Sequence, residues 1–400
     1  MLQPGTFGLT LLLAMLTALG PLSMDMYLPS LPDIAHVLSA PVARTQLTIS
    51  SYLIGFAAGQ MIYGPLSDRY GRRPVLLAAV ALYLASTLAC AAAQSVDVLI
   101  AARALQGISG SGAIVLARAI VRDVYSGVQA ARELSLMGSI SATAPIVAPM
   151  IGGVLQAAFG WRANFICMSA GGLIALVVAA RLLPETLRPA NRAGSLSFFS
   201  MMRGYGAVAR HRGFLIYLGI ITTTYAGLFA WVSGASVVLQ GVYGLSPVTF
   251  GFTFALGAAG YMLGAMIATR LVVRLGLDRT IGVGVVVIAA GGLALVLAVA
   301  TGIPGLWLVA AMALYLAGVG LAMPQAMAGA LTPFPDRAGT AASLMGLVQQ
   351  ALAAIIAAVI GGFLVRSAWP VTGVVVAMST LTFVLWASTR AMRARLRHSD

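Results

Sequence analysis

Long apolar runs separated by short polar stretches fill the chain from one end to the other. A helix needs roughly 20 predominantly apolar residues to cross the hydrocarbon core of a bilayer. Twelve runs reach that length: 7–31, 45–66, 75–94, 97–121, 134–158 and 163–183, then 214–239, 247–268, 280–300, 306–331, 338–364 and 370–388. A backbone in lipid must satisfy its own hydrogen bonds, so runs of this kind predict helices and an all-α membrane protein. The first run has no basic stretch before it and other runs follow closely, so it reads as a span rather than a cleaved leader.

The longest polar connection, 184–212, divides the spans six and six. The expected organisation is a six-helix bundle over 1–183, a cytoplasmic linker over 184–212, and a second bundle with a basic tail over 213–400. The halves echo each other. Ser135-Leu136-Met137-Gly138 returns as Ser343-Leu344-Met345-Gly346, each copy followed by a glycine pair (Gly152-Gly153, Gly361-Gly362) and a tryptophan (Trp161, Trp369). The fifth span thus matches the eleventh, as parallel repeats of one unit require.

The polar stretches fix sidedness. With both termini in the cytoplasm, the inner side holds Arg69, Arg72, Arg73, Arg118, Arg122, Arg132 and the arginines of the linker, including Arg188 and Arg192. Arg270, Arg274, Arg279, Arg337 and the tail Arg390, Arg393, Arg395 and Arg397 continue that set, against Arg44, Arg162 and Arg366 outside. This is the positive-inside pattern of a bacterial inner (plasma) membrane protein that crosses many times.

Composition closes off other classes. The 400 residues are 60% hydrophobic and 8% charged, where soluble domains average about 25% charged. The net charge of +14 lies in short inter-span stretches, so no nucleic-acid partner is expected. The chain has no lysine, which excludes a phosphate-binding P-loop and a lysine Schiff base. Cys90 and Cys167 lie in apolar runs and His36, His211 and His398 are scattered, so neither a metal, another cofactor nor an enzymatic centre is expected.

The stretch after the second span reads Gly64-Pro65-Leu66-Ser67-Asp68-Arg69-Tyr70-Gly71-Arg72-Arg73-Pro74. As a loop, its glycines allow a tight turn, Asp68 can face a helix N-terminus, and the arginines can pair with acids or lipid phosphates. It resembles the loop signature of the major facilitator superfamily, G-x-L-x-D-R-x-G-R-R. The fourth span adds Leu99, Arg103, Gln106, Gly107 and Gly110. The fifth adds Ala148-Pro149-Met150-Ile151-Gly152-Gly153, which resembles the signature of drug/proton antiporters with Ala148 where that group has glycine. Met24-Asp25-Met26-Tyr27-Leu28-Pro29 and Arg118-Ala119-Ile120-Val121-Arg122-Asp123 resemble the Bcr/CflA drug-resistance branch. The resemblance implies two six-helix bundles around a central cavity, with the Gly64, Asp68, Arg69, Gly71, Arg72 and Arg73 segment acting in gating. It also implies that Pro145, Pro149, Gly152 and Gly153 bend and flatten the fifth span for close packing against the other half. The competing reading of those four residues is packing alone.

Asp25 is the leading candidate for function. An ionisable group in a span is costly and points to function by default, and burial lets a carboxylate exchange protons near neutral pH. Pro21 and Pro29 flank it. Asp25 lies six residues before the outer end of its span and Arg103 six after the outer end of the fourth, so both lie about 9 Å deep. Arg103 is therefore expected to act with Asp25, or else as a structural clamp. Gln106 shares its face. Asp123 reads either as a proton relay or as an inner-gate ion pair, and Glu133 as a loop charge. Thr17 stands where some multidrug relatives carry a second carboxylate. Tyr27 beside Asp25, then Tyr225, Phe229 and Trp231, and Tyr261 and Met262, offer surface for an apolar substrate.

The expected activity is proton-coupled antiport, exporting small amphipathic drugs (chloramphenicol- or bicyclomycin-like) or a metabolite by alternating access. The proton gradient would be the energy source, and the partners would be lipid, protons and a small-molecule substrate. A proton-coupled uptake symporter and a passive channel are the competing readings. A monomer is expected.

Overall fold

The computed structural model describes residues 7–187, 198–334, 337–363 and 367–396. Arg188, Arg192, Arg366, Arg397 and His398, and the last residue of the run 338–364, lie outside them. The chain divides into two compact units, Met1–Ser197 and Phe198–Asp400. Among the described residues every regular element is helical.

Unit 1 holds α1 (Phe7–Asp25), a short α2 (Leu31–Val37), α3 (Val42–Tyr70), α4 (Arg72–Ala92), α5 (Val96–Val124), α6 (Gly127–Phe159) and α7 (Arg162–Leu182). Unit 2 holds α8 (Phe198–Ala209), α9 (Arg212–Ser236), α10 (Pro247–Leu275), α11 (Leu277–Ala300), α12 (Gly305–Leu331), α13 (Ala338–Phe363), α14 (Trp369–Ser388) and α15 (Arg390–Leu396). The stretch predicted as a linker contains α8.

Eleven helical segments among the described residues are long and apolar enough to cross a membrane. The remaining predicted span is α3, a 29-residue helix. Thr45, Gln46, Thr48 and Ser50 lower its hydropathy, and all four are buried against the unit rather than offered to lipid. The first run is one span by length but not one helix. α1 ends at Asp25, a 3₁₀ turn follows at Leu28–Ser30, and α2 resumes at Leu31. Pro29 and Pro32 open these short elements, where a proline's missing N–H costs nothing. α6 starts seven residues before its apolar run, so Glu133 is helical and not the loop charge its polarity suggested.

In both units glycine brings two helix backbones together. A Cβ added at Gly107 of α5 would stand 2.1 Å from the Tyr52 carbonyl of α3, and one at Gly55 2.2 Å from that of Ala104. In unit 2 a Cβ at Gly320 of α12 would stand 2.1 Å from the Tyr261 carbonyl of α10, and one at Gly264 2.0 Å from that of Ala317. Small residues at such crossings are how helices associate when lipid removes the hydrophobic drive.

Candidate functional site

A group of buried polar residues of unit 1, including Ser23, Thr87, Arg103 and Gln106, meets where α1, α3, α4 and α5 come together. Arg103 of α5 is 0% exposed. Its Nη1 donates to the Ser23 carbonyl at 2.9 Å and to Gln106 Oε1 at 2.7 Å. The guanidinium lies 4.6 Å from the Tyr27 ring centre and 4.3 Å from that of Tyr52, a box of the kind that holds a cation by ring electrostatics. Secondary bonds fix the walls. Tyr52 donates to the Gly20 carbonyl, the Ser23 and Tyr83 hydroxyls are hydrogen-bonded at 2.6 Å, and Gln106 Nε2 donates to Thr87 at 2.9 Å. Nε of Arg103 has no partner.

Asp25 closes α1 and is 8% exposed. Among the described residues four ion pairs form, and neither Asp25 nor Arg103 is in any of them. The two are brought to one level, since Arg103 grips residue 23 and touches the Met24 sulfur. The guanidinium donates to the Ser23 carbonyl and to Gln106 and forms no ion pair with the Asp25 carboxylate. Arg103 is thus held by neutral groups, and Asp25 has no ion-pair partner among the described residues.

The Gly64–Arg73 segment is mostly helix, not loop. α3 runs to Tyr70, only Gly71 is non-helical (φ +101°), and α4 begins at Arg72. Arg72 pairs with Asp68 and, through Nε at 2.8 Å, with Asp123. Asp68 is therefore spent on Arg72 and does not face a helix N-terminus. Glu185 takes that place instead, accepting the backbone N–H of Arg72 at 2.9 Å and of Arg73 at 3.2 Å. A Cβ at Gly71 would strike the same carboxylate at 2.4 Å. Arg73 donates to the Ala180 carbonyl, and Arg69 lies over the Tyr70 ring. Gly64 has no neighbour that a Cβ would meet. Asp123 is fixed in an ion pair and also accepts from Thr186.

On α6, Pro145 and Pro149 lie inside an unbroken helix. A Cβ at Gly152 would stand 2.2 Å from the Met26 carbonyl, so this glycine lets α6 touch the end of α1 beside Asp25, within unit 1. Gly153 is buried next to it. Asn164 ties the corner, donating to Ser30 at 2.8 Å and to the Gly152 carbonyl at 3.3 Å. Thr17 bonds back to the Leu13 carbonyl.

In unit 2, Tyr225 and Phe229 of α9 lie ring to ring at 4.5 Å, and Tyr225 donates to Gln350 of α13 at 2.9 Å. Trp231 is buried about 240° further round α9. Tyr261 and Met262 are on α10, which packs along α12 and α11, whereas α9 packs along α12, α13 and α14. The five aromatic and methionine candidates of unit 2 therefore do not form one cluster within it. The walls around Arg103, namely Tyr52, Tyr83, Ser23 and Thr87, were missed from sequence. They carry no charge, and only the fold brings them together.

A family model described as Major Facilitator Superfamily matches residues 13–358. The chain is 31% identical over 397 residues to the Bicyclomycin resistance protein homolog of Haemophilus influenzae, covering 98% of this chain and 99% of that one. It is 32% identical to Multidrug resistance protein D of Escherichia coli, covering 86% and 85% of the two chains. Among solved structures it superposes on a D-xylose-proton symporter with a TM-score of 0.75 at 17% identity, covering 94% and 97%.

Proposed function

The chain belongs to the major facilitator superfamily, and from that premise we propose that it is a proton-coupled antiporter that exports small amphipathic drugs or a metabolite. Membership makes it a multi-pass membrane transporter of small molecules and not an enzyme. The names of its relatives, resistance to bicyclomycin and to multiple drugs, favour export over uptake. The observation that carries the coupling is Asp25, a buried carboxylate without an ion pair, at the level of the equally unpaired Arg103. Ionised, Asp25 leaves the site near neutral; protonated, it leaves Arg103 as a net positive charge. Proton and cargo can therefore alternate by electrostatics.

In this cycle substrate enters from the cytoplasm or inner leaflet while Asp25 is ionised. A proton from outside then displaces it and resets the carrier. One charge crossing 100 mV supplies ~2.3 kcal/mol, enough for a roughly fortyfold gradient. The carrier would lie in the inner membrane with both termini cytoplasmic, as a monomer, with Tyr225 and Phe229 contributing apolar contact surface.

Inverted vesicles decide between the directions. With an acidic lumen, an antiporter accumulates chloramphenicol and Asp25→Asn does not, at equal protein levels. A symporter would show no accumulation in that arrangement. A channel would pass the drug whether or not the gradient is dissipated.

A further inference from the structure

Hydroxyls and amides buried in a folded chain are paired as a rule, so one left over calls for a partner from outside. Two such groups in unit 2 lie on neighbouring helices. The Thr222 hydroxyl of α9 and the Gln349 amide nitrogen of α13 have no hydrogen-bond partner among the described residues, and each residue is 7% exposed. The flanking threonines of α9 show that a helix can satisfy such a hydroxyl internally. Thr223 donates to the Gly219 carbonyl at 2.9 Å and Thr224 to that of Ile220 at 2.7 Å. Thr222 does not. Gln349 is the one polar side chain among the buried residues of α13.

α9 packs along α13, and Tyr225 joins them through its bond to Gln350 Oε1 at 2.9 Å. Thr222 lies three residues before Tyr225, about 5 Å away along the axis, and Gln349 adjoins Gln350. The unpaired groups therefore fall within about one helical turn of the same bridge. Thr222, Tyr225 and Phe229 share a face of α9, within about 60° of one another. Tyr225 and Phe229 are half-buried on that face and lie ring to ring. Past Arg212, α9 carries no charged residue, and neither do α12, α13 and α14. A cation would find no counter-charge here. An amide donor and a hydroxyl beside two rings match the carbonyl and hydroxyl oxygens of an uncharged molecule with an apolar ring.

We infer that Thr222 and Gln349 bind the cargo, and that with the Tyr225 and Phe229 rings they select an uncharged molecule bearing carbonyl and hydroxyl oxygens over a lipophilic cation. This rests on the export reading above and specifies its cargo. Gln349 Nε2 donates to a cargo carbonyl, and the Thr222 hydroxyl pairs with a cargo hydroxyl. The rings cover the apolar part, and the Tyr225–Gln350 bond holds α9 and α13 in place around it.

The test uses the full-length protein in proteoliposomes, with chloramphenicol, an uncharged hydroxylated amide, and tetraphenylphosphonium, a cation, as probes. Gln349→Leu and Thr222→Val each remove a group without a partner, so neither should lower the melting temperature. Each should raise the KM for chloramphenicol about three- to fivefold and leave the rate at saturation near that of wild type, as expected when only cargo binding is lost. Wild type should take up tetraphenylphosphonium at least about tenfold less efficiently than chloramphenicol. An unchanged KM in both variants overturns the inference and leaves the antiporter reading intact. So does a KM that rises only where the melting temperature falls, or equal uptake of the two probes by wild type. Full gradient-driven uptake of chloramphenicol in Asp25→Asn sinks the antiporter reading and leaves the cargo face standing.

Discussion

The two units share a packing device but not an interior. α3 with α5, and α10 with α12, both approach until a glycine Cβ would overlap a carbonyl by more than an ångström. Yet unit 1 buries Arg103 and Asp25, whereas the spans of unit 2 keep their charges at helix ends. Arg212 opens α9, Arg270 and Arg274 lie in the last two turns of α10, Asp278 and Arg279 open α11, and α12, α13 and α14 carry none. Among the described residues the side-chain contacts in the middle of the unit 2 spans are between neutral groups, as between Thr382 and Thr223 at 2.8 Å or Tyr225 and Gln350. The two units thus share the glycine crossings, while among the described residues only unit 1 buries charged groups within its spans.

Replacing Arg103 gives the largest expected effect. Arg103→Gln should cut gradient-driven transport at least tenfold, because it loses both ring contacts and the bond to the Ser23 carbonyl. Arg103→Lys should rescue little, since a point charge does not reproduce the planar fork. Transport assays in vesicles at matched expression read this. No single substitution of a buried polar residue in unit 2 should match it, and one that did would break the division of labour.

Next come the shared crossings. Gly107→Ala and Gly320→Ala should each destabilise by about 1–3 kcal/mol through overpacking. Thermal unfolding in detergent should show similar losses for the two, and a large disparity would argue that the repeat is not structurally equivalent.

The ends of the units differ in sign and allow a finer comparison. Arg72 is held by Asp68 and Asp123, and in unit 2 Asp278 is held by Arg393 of α15. Removing either arginine strands partly buried acid, for a loss of roughly 1–3 kcal/mol. Arg72→Ala strands two acids where Arg393→Ala strands one, so it is expected to cost more by denaturation. The smallest effect is Tyr225→Phe, which removes one hydrogen bond and should cost about 1 kcal/mol or less. A severalfold change in the KM for chloramphenicol would place substrate beside that hydroxyl.

Much of this was legible in the chain. Apolar run lengths located the spans, although α3 reads as weaker because of Thr45, Gln46, Thr48 and Ser50, which are buried within the unit. The Asp25 and Arg103 depths followed from counting residues, and the structure does bring them to one level. Counting along a helix gives depth but not the direction of a side chain, so it did not reveal that Arg103 holds a carbonyl instead of the carboxylate. Glu133 was misread because a charge near an apolar run looks like its edge, and its Thr10 partner is 123 residues away in sequence. Glu185 escaped notice for the same reason, its cap on α4 being a long-range contact.

By itself the sequence determined that lipid is the solvent and which stretches of the chain are apolar enough to cross it. Those properties depend on local composition summed along a helix. Which buried charges are balanced and which are left without a counter-ion was decided only in the tertiary structure, because hydrogen bonding acts over about 3 Å between residues that the sequence keeps far apart.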